Sequence, residues 1–144
     1  MTATTLTRTT TTTRPETQTR SSRQLHRHGA VAGVVAAVAT TGVAATADAI
    51  GVPITIGGES IPLLGFAQLT LAATLIGVVL ASVMNRRAAR ARHTFVATTM
   101  VLTALSFVPD VFADAAAATK ITLVLTHIVA AAVVIPTLAS RLAD

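Results

Sequence analysis

Between Lys120 and Arg141 the chain runs for twenty residues, Ile121 to Ser140, without a carboxylate, lysine or arginine. A helix rising about 1.5 Å per residue needs roughly twenty apolar residues to cross the hydrocarbon of a bilayer. Three other uncharged runs precede it, at residues 29–47, 61–85 and about 94–109. The third, at about sixteen residues, is close to the shortest that can cross. Only 12% of the residues are charged, which leaves little polar surface for a soluble domain. These runs predict an all-α fold: a four-transmembrane-helix bundle with spans at about 29–47, 61–85, 94–109 and 120–140.

The net charge of +5 would suggest nucleic acid in a soluble protein, but its placement points elsewhere. Residues 1–28 hold five arginines against Glu16, and Arg86, Arg87, Arg90 and Arg92 cluster in one short segment. The other connections hold Asp48, Glu59, Asp110 and Asp114 against Lys120 alone. Basic loops alternating with acidic ones follow the positive-inside rule. They predict a multi-pass protein of the cytoplasmic membrane with both termini inside, anchored by the four arginines, whose partner is the bilayer and not nucleic acid. Tryptophan and tyrosine are absent, so phenylalanine and arginine must serve as interfacial anchors.

Residues 1–28, rich in threonine and arginine, bury too little apolar surface to offset their ordering entropy and are expected to be a disordered cytoplasmic tail outside the 29–142 membrane domain. The leader, the apolar run and Ala45-Thr46-Ala47 before Asp48 also have the form of a signal peptide. The apolar run is longer than the usual ~7–15 residues, so the helix is expected to stay. In the following loop Ile50, Val52, Ile54 and Ile56 alternate with other residues before Gly57-Gly58, the pattern of a short outer hairpin, with Pro53 confining any strand to an edge.

Gly29 and Gly33 in the first span, and Ala73, Gly77 and Ala81 in the second, form small-residue stripes that let helices approach closely, within the chain or in a homo-oligomer. Gln68 is placed to hydrogen-bond to a neighbouring helix. Thr99 and Thr103, with Ser106, fall on one face of the third span, and Thr122 and Thr126 on one face of the fourth. They are expected to bond back to their own helices or to line a polar seam. Pro109-Asp110 is expected to end the third helix.

One titratable group stands inside a span: His127, about 10 Å beyond Lys120 at the helical rise. An ionisable residue there is expensive and marks a candidate site. With Asp110 or Asp114 it would make a minimal acid–base pair, although Asp110 at the outer end of the third helix is expected to be too shallow for direct contact. No partner at i+3 or i+4 supports a metal site, cysteine is absent, and no cofactor is expected.

The segments Ile61-Pro62-Leu63-Leu64-Gly65-Phe66-Ala67, Asp114 to Thr119, Leu125-Thr126-His127-Ile128-Val129 and Ile135-Pro136 resemble a family of small actinobacterial membrane proteins, a domain of unknown function. That resemblance covers roughly residues 29–142. It implies four-helix architecture and adds weight to the aspartate and histidine positions, without assigning chemistry. The expectation is a structural or interacting component of the cell envelope. The alternatives are a small proton-coupled permease, or an intramembrane enzyme on a lipid-like substrate, using His127 with Asp110 or Asp114.

Overall fold

A computed structural model describes residues 16–143 of the chain. The element order is α1 (Glu16–Ala49), β1 (Thr55–Ile56), β2 (Glu59–Ser60), α2 (Leu63–Arg87), α3 (Ala91–Phe112) and α4 (Ala117–Ala139). Four helices are long and apolar enough to cross a membrane: Gln24–Ala49, Leu63–Arg87, Ala91–Phe112 and Ala117–Ala139. The chain is a multi-pass membrane protein built as a four-helix bundle.

Two boundaries differ from expectation. Residues 16–28, read from their composition as unstructured, continue α1 toward the N-terminus, and Leu25 is buried against Val78, Ala81, Phe95 and Leu138. One leucine at the right register gives this polar turn something to bury, which composition alone does not reveal. Residues 1–15 of the expected tail lie outside the described residues. The third helix runs 22 residues and does not stop at Pro109, which lies inside it. Proline removes one donor, but a helix near its end loses only one bond and can continue for a turn.

Each helix has its own environment. α1 packs against α2 and α4, and its close approach to α2 depends on glycine. A Cβ at Gly29 would stand 2.3 Å from Val78 Cγ2, and one at Gly33 would stand 3.1 Å from Thr74 Cγ2. Farther along the seam the hydroxyls of Thr40 and Thr70 bond to each other at 2.9 Å. α3 is different. Among its residues only Ala91, Phe95 and Asp110 are buried, and Met100, Val101, Leu105 and Val108 face outward.

The two ends are closed by separate devices. At the basic end Leu25, Ala81, Ala91, Phe95, Leu138 and Leu142 form one cluster, and the Arg92 amide donates to the Ala143 carbonyl. At the other end Thr55–Ile56 pairs antiparallel with Glu59–Ser60. Gly57 and Gly58 between them have φ of 60° and 84°, the positive values that a two-residue type I′ turn requires at both central positions. Pro53 precedes the strand. The hairpin lies over the bundle: Ile54 joins Ala44, Ala47, Phe66 and Leu123, the Gly57 amide donates to the Asp114 carbonyl, and Thr119 donates its hydroxyl to the Pro53 carbonyl.

Candidate functional site

His127 lies near the middle of α4 and Asp110 in the last turn of α3, yet His127 Nδ1 is 3.0 Å from Asp110 Oδ2. The expectation that Asp110 is too shallow for direct contact is therefore incorrect. Side chains tilt toward the N-terminus of their own helix. Because α3 and α4 are antiparallel, Asp110 reaches down from the hairpin end while His127 reaches up toward it. Counting rise per residue along each backbone ignores both reaches.

The same α3 face holds the ring from a second side. Phe107, one turn before Asp110, meets His127 edge-on at 76° with ring centroids 6.2 Å apart. Pro109 cannot donate to the carbonyl one turn back, so the backbone is loosened beside the carboxylate. Lys120 Nζ donates to the Val111 carbonyl at 2.9 Å and holds the end of α3 against α4.

The hydrogen bonding at this pair is incomplete. Nδ1 is also 3.0 Å from the Leu123 carbonyl, within its own helix. One N–H cannot point along both directions, and with its geometry directed at Leu123 the buried Oδ2 of Asp110 has no properly aligned donor. The separation is that of an ion pair, but no donor is aligned on Oδ2. A carboxylate in the last turn also opposes the helix macrodipole, which favours cations there. Two local rules are broken at one residue, and such conflicts concentrate at functional sites.

On the other side of His127 lies a cleft of about 290 Å³ between α2, α3 and α4. Thr70, Thr74, Thr99, Thr103 and Ser106 are its hydroxyl-bearing lining residues, and Gly77, Phe95, Leu102 and Val134 are among its apolar walls. Asp110 is not part of the lining, so of the pair only His127 borders the open space.

The remaining predicted positions separate into groups. Thr99 and Thr103 line the cleft, with the Thr99 hydroxyl returned to the Phe95 carbonyl. Thr122 and Thr126 are buried on a different face of α4 and donate to the Ala118 and Leu123 carbonyls, so they share no seam with Thr99 and Thr103. Gln68 was expected to bridge helices. It is exposed on the outer face of α2 and makes no hydrogen bond among the described residues. Asp114 is exposed in the α3–α4 connection, away from His127, and only its backbone carbonyl is engaged. Gly29, Gly33 and Ala81 are used in packing within the chain, whereas Ala73 and Gly77 line the cleft. Arg86, Arg87, Arg90 and Arg92 are exposed at the basic end.

Phe107, Phe95, Thr70 and Thr74 were not anticipated as site residues. For Phe107 a signal existed: residues 103, 106, 107 and 110 share one helical face, and continuing the helix past Pro109 would have found it. Among the described residues, no cluster of three or more histidine, aspartate or glutamate side chains could hold a metal ion.

No curated protein and no solved structure matches this chain. A family model described as a family of unknown function, DUF6069, matches residues 20–144, including Asp110, His127 and every helix wall of the cleft. The chain belongs to that family.

Proposed function

We propose that the protein is a small proton-coupled permease of the cytoplasmic membrane, a cell-envelope component with both chain ends on the cytoplasmic side. Charge placement supports the orientation: Arg27, Arg86, Arg87, Arg90 and Arg141 stand at one end, and Asp48, Glu59 and Asp114 at the other. The observation that carries the functional reading is the buried Asp110 oxygen 3.0 Å from an imidazole that faces a cleft.

The chemistry follows from charge balance. An imidazolium beside a carboxylate, or an imidazole beside a carboxylic acid, is neutral overall, and the two differ only in where the shared proton sits. Releasing a further proton leaves one net negative charge away from water, a cost of several kcal/mol per uncompensated ion. A small lipophilic monocation entering the cleft supplies the missing positive charge. Proton and cation thus compete for one site, which is the requirement for exchanging one against the other. His127 is the proton-exchanging group, and Asp110 holds its ring and balances its charge.

The test uses proteoliposomes with a pH dye trapped inside and tetraethylammonium or ethidium added outside. Protons should leave as the cation enters, and the lumen should turn alkaline. His127→Ala and Asp110→Asn should each abolish the response while insertion and helix content are kept. A parent protein that moves no protons with either cation, or variants that respond like the parent, would overturn the reading.

A structural envelope role is the second reading. It is favoured by the hydroxyls of Thr74, Thr99, Thr122, Thr126 and Thr137, each returned to a carbonyl of its own helix and none offered to a ligand. Self-association would then use surface outside Gly29 and Gly33, since both already face α2. Oligomers that persist in the membrane without any cation-linked proton movement would favour this reading.

A further inference from the structure

A second hollow lies on the opposite side of α4, in the groove between α1 and α4 at the basic end. It has a volume of about 440 Å³ and is lined by Arg27, His28, Val31, Ala32, Val35, Val133 and Thr137. It shares no residue with the His127 cleft. We infer that this groove binds an anionic phospholipid, with the phosphate against Arg27 and His28 and one acyl chain lying along Val31, Val35 and Val133.

The groove changes character along its length, as such a ligand does. Its floor is Ala32, 3% exposed, whose small side chain leaves a depression between exposed valines. From Arg27 to Val35 it descends roughly 12 Å along the helix, enough for the upper part of one chain. The Thr137 hydroxyl is spent on the Val133 carbonyl, so that wall presents only carbon to a chain.

The polar end is equally fitted. Arg27 is exposed and offers the planar donor fork that matches phosphate oxygens. His28 Nδ1 donates to the Gln24 carbonyl at 2.7 Å, which orients the ring; as an imidazolium it then presents its second N–H to a phosphate oxygen. A basic pocket between helices on one side of a membrane is where an anionic headgroup gains most. A free phosphate would use Arg27 and His28 but would leave the valine-lined groove empty, so the apolar continuation selects the lipid.

Native mass spectrometry of the full chain, released from nanodiscs of equal phosphatidylglycerol and phosphatidylcholine, tests this. Phosphatidylglycerol should stay bound in preference, at one molecule per chain. Arg27→Gln should weaken its retention about fivefold, the factor that ~1 kcal/mol per basic residue near an anionic surface corresponds to. Val35→Trp, at a position 50% exposed, should obstruct the groove and reduce retention without disturbing the interior. Arg90→Gln, in the α2–α3 connection, should leave it unchanged. Equal retention of the two lipids, an effect of Arg90→Gln as large as that of Arg27→Gln, or displacement by inorganic phosphate would overturn the assignment.

Discussion

α1 and α3 are both long apolar helices of one small bundle, and they are held in opposite ways. From Leu25 onward α1 is buried along one face: Leu25, Ala32, Ala36, Ala37, Thr40, Ala44 and Ala47 each face the interior. α3 buries only Ala91, Phe95 and Asp110, near its two ends. Between those points Phe107 touches His127, and the rest of its inner face borders the His127 cleft. Small residues permit close approach and so build a rigid seam. A helix pinned at two points with a void between them can change its spacing at little cost in packing, because few contacts must break. The comparison assigns α1, α2 and the hairpin to scaffold, and makes α3 the least buried of the four helices.

The largest expected effect comes from removing an end fastening. Phe95 is fully buried and joins α3 to Leu25, Val78, Ala81 and Leu138. Phe95→Ala should cost about 3–5 kcal/mol, the usual range for deleting a buried aromatic ring. It should show as a lower unfolding midpoint in detergent and as faster proteolysis of the α2–α3 connection. If Phe95→Ala is as stable as the parent, α3 is not held where the comparison places it.

Next is a contrast between two glycines that the sequence marks alike as packing positions. Gly29→Leu must push aside Val78, because even a Cβ there falls at 2.3 Å from Val78 Cγ2. Overpacking of this kind costs about 1–3 kcal/mol, and here more of the seam must shift. Gly77 has its nearest neighbour, Leu138 Cδ1, at an ordinary 3.6 Å and borders the cleft. Gly77→Leu should therefore leave the unfolding midpoint near that of the parent while filling the cleft and suppressing cation-linked proton release. Equal destabilisation by the two substitutions would erase the distinction between seam and cleft.

Much of this architecture was legible in the residues. The four spans could be read from run length and charge, and the hairpin from Gly57-Gly58 and alternating isoleucines; Gly29 and Gly33 pointed to a close approach without naming α2 as the neighbour. The pairing of His127 with Asp110 was not. It depends on the opposed tilts of two antiparallel helices and on α3 continuing past Pro109, and neither is a property of a linear pattern. Gln68 failed for a related reason. Which face of an all-round apolar helix turns inward is set by its neighbours, and a membrane helix lacks the polar stripe that marks the outside of a soluble one. The helical start of α1 was hidden because Leu25 is a single apolar residue in a basic turn, below what composition registers.

The smallest effect expected is within the seam itself. Thr40 and Thr70 donate and accept across α1 and α2 at 2.9 Å, both buried, and the Thr40 hydroxyl also lies 3.2 Å from the Ala37 carbonyl. Interhelical hydrogen bonds in a membrane are worth about 0.6 kcal/mol on average, since a hydroxyl freed from its partner can return to its own helix. Thr40 has that fallback already in place. Thr70→Val should therefore lower stability by well under ~1 kcal/mol, and Thr40→Val, which leaves the Thr70 hydroxyl without its partner, somewhat more. A double-mutant cycle read by unfolding in mixed micelles should give a coupling of a few tenths of a kcal/mol. A coupling several times larger would mean that the polar pair, and not the glycine approach, fixes the register of α1 on α2. The scaffold would then rest on one hydrogen bond in place of a surface.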